Sequence, residues 1–228
     1  MTKPLVIAID GPAGAGKSTV AQLLAERLGL AYVDSGATYR AAALKVLESG
    51  VSPEDECEIA RVVAAAEIRF VPRQPQPQIL LDGKDVTAKV RTSDVTLAAA
   101  RVSRLPAVRE KLVALQRSLL KGAGLVMEGR DIGTVVFPDA PLKIFLKADT
   151  GERARRRLQQ NHEQGRPSTL SDTLSEISSR DQLDAERKVS PLVPAEDATI
   201  VDSTHLTAEE VVEQILELAR KKDLLGLH

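Results

Sequence analysis

Short apolar runs alternate along the chain with longer segments of helical periodicity. The first run, Leu5 to Ile9, is mostly β-branched and is typical of a buried parallel strand. Comparable runs predict further strands at residues 31–33, 125–127, 143–146 and 198–201. Helices are predicted at about residues 17–28, 38–48, 92–104, 106–121, 150–164, 171–188 and 208–222, with a further helix beginning at Ser52 and Pro53. This alternation predicts an α/β fold in which helices cover both faces of a mostly parallel central sheet.

Residues 67–90 break this alternation. Three short strand-like pieces occur there, at Ile68–Val71, Ile79–Leu81 and Val86. Asp82 and Gly83 form a hairpin turn signal between two of these pieces, and the proline-rich stretch 72–77 excludes a helix. The sequence therefore predicts a small antiparallel β insertion rather than a separate domain.

Composition narrows the class of protein. The 228 residues are 43% hydrophobic and carry a formal net charge of −1, which suits one domain with a substantial core. The single cysteine, Cys57, excludes a disulfide within the chain and fits the reducing cytoplasm, where we expect the protein. No apolar run approaches the roughly 18 residues of a membrane helix, and the amino-terminal residues lack signal-peptide character. The balanced charge and the 2% aromatic content argue against binding to a nucleic-acid polymer.

A glycine-rich turn follows the first predicted strand and precedes the first predicted helix. Its residues are Gly11, Pro12, Ala13, Gly14, Ala15, Gly16, Lys17, Ser18 and Thr19. They fit the phosphate-binding pattern G-x-x-x-x-G-K-[ST], in which backbone N–H groups and the helix N-terminus surround an anion. Lys17 is placed to reach the β- and γ-phosphates of ATP, and the Ser18 hydroxyl to bind Mg²⁺. The motif predicts nucleotide binding but not the reaction, because GTPases, transport ATPases and small-molecule kinases share it.

Polar residues follow two other predicted strands. Ser35 and Arg40 come after the second strand, and Arg130 and Asp131 after the third main strand. Ligands of open α/β sheets bind outside the carboxyl ends of the strands, so these residues are expected to face the same crevice as the phosphate loop. Arg130 and Asp131 either form a structural ion pair or divide the work, with Arg130 on a phosphate and Asp131 on a base or sugar.

A helical lid is predicted at about residues 150–188. Arg180, Asp184 and Arg187 share one face of its second helix, since they are spaced i, i+4 and i+7. Further arginines crowd the first helix and the break between the two, at Arg153, Arg155, Arg156, Arg157 and Arg166. A solvated salt-bridge stripe is one interpretation. The other is a mobile lid that excludes water and supplies cations to a transferring phosphoryl group.

Together these features resemble the bacterial cytidylate kinases over nearly the whole chain. The matching stretches are IDGPAGAGKST, DSGATYR, PAVRE, EGRDIGTVVFPDAPLKIFL and SSRDQLDAERKVSPLVPAEDA. The resemblance implies a three-layer P-loop kinase fold within one domain, residues 1–228. Its expected parts are a core of residues 1–66, 91–149 and 189–228, the monophosphate-binding β insertion at about 67–90, and the helical lid.

The resemblance also implies a reaction and roles for individual residues. ATP would phosphorylate CMP or dCMP with Mg²⁺ held at Ser18. The implied catalytic residues are Lys17, Arg130, Arg157 and Arg187. The implied CMP-binding residues are Ser35, Arg40, Arg109, Arg130, Asp131, Arg180, Asp184 and Arg187. At Ala100 the chain lacks the serine with which the family often contacts the base.

Two alternatives stay open at this point. One is a kinase for another small acceptor, such as shikimate or a different monophosphate. The other is a nucleotide-dependent switch without phosphoryl transfer. We further expect a monomer, and we expect Asp34 to act on the metal through water.

Overall fold

The structure is a computed structural model that describes residues 4–71, 77–163, 165–185 and 189–225. The strands are β1 (Leu5–Asp10), β2 (Ala31–Asp34), β3 (Ile68–Val71), β4 (Gln78–Leu81), β5 (Lys84–Asp85), β6 (Gly124–Gly129), β7 (Leu142–Lys147) and β8 (Thr199–Asp202). The helices are α1 (Lys17–Leu28), α2 (Ser35–Ser49), α3 (Glu56–Ala65), α4 (Ser93–Val102), α5 (Pro106–Ser118), α6 (Thr150–Glu163), α7 (Leu170–Ala185) and α8 (Ala208–Lys221). The chain divides into two compact units, one of residues 1–31 and 122–228 and the other of residues 32–121.

The larger sheet has the strand order β2-β6-β1-β7-β8. Its central strand β1 pairs in parallel with β6 and β7, so that Ile7 lies opposite Val126 and Leu142. These three side chains are completely buried, because helices and loops cover a parallel sheet on both faces. The predicted α/β fold with a central parallel sheet is confirmed.

The smaller sheet belongs to the unit of residues 32–121. Strands β3, β4 and β5 pair antiparallel in that order. Asp82 and Gly83 join β4 to β5 with positive φ angles of 49° and 79°, as a tight hairpin requires. The predicted antiparallel insertion is confirmed, although Val86 lies just beyond β5 and only donates its N–H to the Ile79 carbonyl, at 2.9 Å.

Two helix starts differ from the prediction because an aspartate caps each helix. The side chain of Asp34 accepts the Ala37 N–H, so α2 begins at Ser35 rather than at residue 38. Asp55 accepts the Glu58 N–H, so α3 begins at Glu56 rather than at Ser52. The π-helical turn Ile132–Val136 was not among the predicted elements.

The two helices predicted for the lid are present as α6 and α7. Gly165, just past α6, has a φ of 66°, a conformation that glycine adopts readily. Residues 186–188, where the second helix was predicted to end, lie outside the described residues. The division into core, insertion and lid stays a prediction. Within the described part of the chain, no helix is both long and apolar enough to cross a bilayer.

Candidate active site

The phosphate loop leaves the end of β1 and enters α1. A Cβ atom on Gly11 would lie 2.0 Å from the Leu146 carbonyl oxygen, so only glycine fits where the loop passes the neighbouring strand. Helix α1 starts after its N-cap residue Gly16, whose φ is 90° and which has no side chain to cap the first N–H groups. Backbone donors at the start of α1 are therefore left for a ligand, as an anion site requires.

Lys17 is buried at the first position of α1. Its Nζ donates to the Pro12 carbonyl at 2.7 Å, on the loop that precedes it. Burial, together with the nearby positive charge of Arg130, lowers the pKa of Lys17 from 10.5 to about 7. The carboxylates of Glu128, Asp10 and Asp184 oppose this shift. A bound phosphate would add negative charge and favour the protonated lysine.

Asp10, the last residue of β1, is a site residue that sequence reasoning missed. Its two carboxylate oxygens accept the N–H groups of Ile132 and Gly133, each at 2.8 Å. Burial raises the pKa of Asp10 to about 6, against the effect of these two hydrogen bonds. Asp10 thus ties the entrance of the phosphate loop to the turn that follows Arg130 and Asp131. Its position at a strand end, directly before Gly11, was the available signal.

Arg130 and Asp184, two predicted site residues that are far apart in sequence, form an ion pair. The Arg130 Nε donates to Asp184 Oδ2 at 2.7 Å. Asp184 is buried on α7, and Arg130 follows β6. Both charges are close enough to Lys17 to act on its pKa. The structure therefore brings the β6 loop, helix α7 and the lysine of the phosphate loop together.

Arg180 and Arg157 share a partner between helices α6 and α7. Glu176 lies 3.1 Å from Arg180 Nη2 and 3.7 Å from Arg157 Nη2. Burial lowers the pKa of Arg180, and Glu176 opposes that shift. The i,i+4 pair of Arg180 with Glu176 matches the salt-bridge interpretation, whereas Asp184 on the same helix is drawn to Arg130. Arg187 lies outside the described residues.

Ser35 and Arg40 lie in the first turns of α2. Arg40 Nη2 donates to Asp34 Oδ2 at 2.6 Å, and Ser35 is buried. Burial alone would raise the pKa of Asp34, but the charge of Arg40, its hydrogen bond and the Ala37 N–H hold that pKa below 3.8. The Asp34 carboxylate is thus a helix cap and an arginine partner. Its action on a metal through water stays a prediction.

Arg109 on α5 is buried in the same unit. Its Nη1 donates to the Ser103 carbonyl at 3.3 Å, and its guanidinium carbon lies 5.6 Å from the centroid of the Tyr39 ring. The Ser103 hydroxyl donates its proton to the Ala100 carbonyl at 3.1 Å. Ser103 therefore uses its donor locally and holds Arg109 through its backbone. How this unit's residues lie relative to the phosphate loop stays a prediction.

A metal site made by protein carboxylates alone is not found in the described part of the chain, where no three His, Cys, Asp or Glu side chains come together. The residues present do fit a cation that is held mainly by nucleotide phosphates. Ser18 is exposed beside Lys17, at the uncapped start of α1. Mg²⁺ commonly takes only one or two protein ligands in such sites.

Comparison with known proteins agrees with this arrangement. The family model for cytidylate kinase matches residues 7–221. A cytidylate kinase of Azotobacter vinelandii is 50% identical over 227 residues, which cover 98% of this chain and 99% of that protein. The cytidylate kinase of Saccharophagus degradans is 46% identical over 221 residues, which cover 96% of this chain and 99% of that protein.

One solved structure shares the fold at low sequence identity. An uncharacterized protein from Eubacterium ventriosum is 13% identical, with a TM-score of 0.50 over 95% of this chain and 98% of that chain. That likeness concerns the fold alone. The family match and the two relatives extend over the phosphate loop, Arg130 and helix α7 alike, and the chain belongs to the cytidylate kinase family.

Proposed function

We propose that this protein transfers the γ-phosphoryl group of ATP to CMP or dCMP, giving ADP and CDP or dCDP. Membership of the cytidylate kinase family supports the reaction. The observation that carries it is the buried Lys17 at an uncapped helix start, influenced by the Arg130–Asp184 ion pair. The acceptor-binding candidates Arg130 and Asp184 are thus close enough to the donor-binding candidate Lys17 to shift its pKa.

The donor side is the phosphate loop from Gly11 to Thr19. Its N–H groups and the N-terminal end of α1 would hold the phosphates of ATP. Lys17 would leave the Pro12 carbonyl for the β- and γ-phosphates and take up a proton as it does so. Because the lysine is already buried, its charge would act on the phosphates with little screening by water.

A divalent cation is generally needed for phosphoryl transfer by kinases, and we propose Mg²⁺. The Ser18 hydroxyl would hold it, together with phosphate oxygens. When bound, the cation neutralises charge on the donor phosphates.

The acceptor side is assigned by family resemblance. Residues proposed to contact CMP are Ser35, Arg40, Arg109, Arg130, Asp131, Arg180, Asp184 and Arg187. Arg40, Arg130 and Arg187 would bind its phosphate, because guanidinium groups match phosphate oxygens in geometry and charge. Arg109 and Asp131 would contact the cytosine. Arg157 would face the transferring group when the lid closes.

The chemistry needs no strong base from the protein. The attacking oxygen belongs to the phosphate of CMP, which is already ionised at neutral pH. The protein's work is to align that oxygen with the γ-phosphorus and to stabilise the developing charge.

Base selectivity would follow from the carboxylate of Asp131. The cytosine amino group donates a hydrogen bond where uracil has a carbonyl oxygen, so a carboxylate accepts from the first and repels the second. A buried mismatch of this kind costs about 1–3 kcal/mol. We therefore expect CMP and dCMP to be better acceptors than UMP.

An acceptor panel tests the proposal. Release of ADP from ATP would be followed with CMP, dCMP, UMP, AMP and shikimate in turn. We expect CMP and dCMP to stimulate release most strongly. Equal kcat/KM for UMP and CMP would remove the selectivity argument. Slow hydrolysis that no acceptor stimulates would favour a nucleotide switch instead.

We also propose that the protein is a cytoplasmic monomer. Its free cysteine, Cys57, is compatible with the reducing cytoplasm.

A further inference from the structure

We infer that Arg153 is a positioning residue that fixes the phosphate loop and helix α7 in one arrangement, so that the donor and acceptor bind cooperatively. This inference rests on the proposed function, because α7 carries the acceptor-binding candidates Arg180 and Asp184. Arg153 itself would touch neither substrate. It acts through the backbone of the loop and through Asp181.

Arg153 is buried, with only 4% of its surface exposed, and an acceptor faces each of its five N–H groups. Nε donates to the Ala148 carbonyl at 3.0 Å, and Nη2 donates to the Thr150 hydroxyl at 2.9 Å. The two oxygens of Asp181 accept from Nη1 at 2.9 Å and from Nη2 at 2.7 Å. The fifth bond goes from Nη1 to the Ala13 carbonyl at 3.2 Å.

The bond to Ala13 sets the direction of a phosphate-binding donor. In a planar trans peptide the C=O of one residue and the N–H of the next point in opposite directions. Because Arg153 holds the Ala13 carbonyl, the Gly14 N–H points away from Arg153. Ser203 acts in the same way on the next but one peptide, since its hydroxyl donates to the Ala15 carbonyl at 3.1 Å. Both anchors hold the loop from behind and leave the intervening N–H groups for an anion.

Gly14 allows the loop to come this close to α6. A Cβ atom on Gly14, at a φ of 77°, would lie 3.0 Å from both the Cβ and the carbonyl oxygen of Arg153. The loop backbone therefore packs directly on the first turn of α6. A small movement of Arg153 would be passed to the loop rather than absorbed by flexible side chains.

The bond to Asp181 links the same guanidinium to α7. Asp181 is one residue after Arg180 and three before Asp184, which pairs with Arg130. A two-point arginine–carboxylate contact fixes orientation as well as distance. Binding of CMP to α7 would order Asp181, and through Arg153 it would order the Gly14 N–H toward ATP. If bound CMP increases the affinity for ATP, thermodynamic linkage requires bound ATP to increase the affinity for CMP by the same factor.

Two variants separate the halves of this link. In Arg153→Lys, one ammonium with three donors cannot replace five directed bonds, so the Ala13 anchor and the Asp181 link both weaken. In Asp181→Asn, Arg153 keeps its bonds to Ala13, Ala148 and Thr150, and only the charged link to α7 is reduced. The matched control is Arg61→Lys, which alters an exposed two-point pair with Glu58 on α3.

The measurement is the affinity for a non-hydrolysable ATP analogue with and without saturating CMP. We expect the wild type and Arg61→Lys to bind the analogue more tightly with CMP. Arg153→Lys should bind the analogue alone about tenfold more weakly, a loss of 1.4 kcal/mol. Asp181→Asn should bind the analogue alone within about twofold of the wild type but lose the improvement on adding CMP.

Other outcomes overturn the inference. If CMP does not change the affinity of the wild type for the ATP analogue, the two sites are not coupled. If CMP still tightens analogue binding in both variants, the coupling does not pass through Arg153 and Asp181. Equal losses of analogue binding in both variants would indicate a merely structural pair. Thermal melting checks the fold of each variant, and Asp181→Asn decides alone if Arg153→Lys does not fold. Failure of the proposed function is distinguishable, because the wild type would then release no ADP in response to CMP.

Discussion

Lys17 and Lys143 are two lysines of the same unit that are buried to the same degree, with 6% and 7% of their surface exposed. Lys143 on β7 reaches the Asp197 carboxylate at 2.8 Å and also the Pro138 carbonyl. Lys17 reaches the Pro12 carbonyl, and burial lowers its pKa to about 7. Lys143 is compensated by its neighbours in the fold, whereas Lys17 keeps a lowered pKa despite the carboxylates of Glu128, Asp10 and Asp184.

The difference between the two lysines separates a structural buried charge from one that binds a ligand. A buried charge that its own fold satisfies is structural, whereas one that its fold leaves undercompensated is held ready for a ligand. The surroundings of Lys17 fit the second case, since α1 begins without a side-chain cap. By contrast, α8 begins with a complete capping box between Thr207 and Glu210.

The largest expected effect separates the two lysines by activity. In Lys17→Met we expect kcat to fall by about 10³-fold, because the charge on the transferring phosphates is lost. Lys143→Met should keep kcat within about twofold of the wild type, because the Lys143 ammonium donates to Pro138 and Asp197, which are not site candidates. Initial rates of CMP-dependent ADP release measure both. Similar losses in the two variants would break the comparison.

The next effect concerns the ion pair near Lys17. We expect Arg130→Ala to lower kcat by about 10²-fold or more while ATP binding stays nearly unchanged, because Arg130 is assigned to the acceptor phosphate. Turnover and equilibrium binding of an ATP analogue should be measured on the same preparation. A parallel loss of ATP affinity would place Arg130 on the donor side. Thermal melting is the control, because Arg130→Ala removes the guanidinium that pairs with the buried Asp184 and could destabilise the fold.

The consecutive parts of this candidate site form a local pattern in the sequence, and the dispersed parts do not. The phosphate loop is a run of neighbours between a strand and a helix, so spacing alone identifies it. The Arg130–Asp184 pair joins positions 54 apart, Arg153–Asp181 joins positions 28 apart, and Asp10 meets Ile132 across 122 positions. These partners depend on tertiary packing, which no local pattern encodes.

Local errors had local causes. The sequence predicted that α2 begins at residue 38. The helix begins at Ser35 because the Asp34 side chain accepts the Ala37 N–H and caps it. Ser35 therefore lies in the first turn of a helix rather than in a loop after the strand. The alternation of apolar strands with helices was sufficient to predict the fold class, because the spacing of apolar residues reflects which positions are buried.

A smaller effect should appear as proton uptake. At pH 8 about nine-tenths of Lys17 is neutral in the free protein, given a pKa of about 7. Bound phosphates raise that pKa toward 10.5, so binding of the ATP analogue at pH 8 should take up nearly one proton. Near pH 6 the lysine is already charged and uptake should be small. Calorimetry in two buffers of different ionisation enthalpy measures it.

The matched variant for this test is Lys17→Arg. Arginine stays protonated throughout the range, so its uptake at pH 8 should be close to zero. Asp10 does not confuse the result, because its pKa of about 6 leaves it mostly ionised at pH 8. Persistent uptake in Lys17→Arg would mean that another group titrates, and the contrast with Lys143 would lose its electrostatic basis.

The smallest effect is on stability, and it should have opposite signs at the two lysines. The lowered pKa of Lys17 means that the native state binds fewer protons than the unfolded chain between pH 7 and 10.5. The contribution of Lys17 to stability therefore rises with pH across that window, and the penalty for its charge is fully present below pH 7. Lys17→Met removes this penalty and should stabilise the ligand-free protein at pH 6.5.

Lys143→Met should have the reverse effect at the same pH. It removes a donor from Pro138 and the charge opposite Asp197, which we expect to cost about 1–3 kcal/mol. Denaturant unfolding at pH 6.5 and pH 9, without nucleotide, measures both variants. The gain in Lys17→Met should shrink at pH 9, where the wild-type lysine is neutral, and saturating ATP should reverse it by stabilising only the wild type. If both variants are destabilised equally at both pH values, Lys17 is a structural lysine like Lys143, and its low pKa does not reflect readiness for an anion.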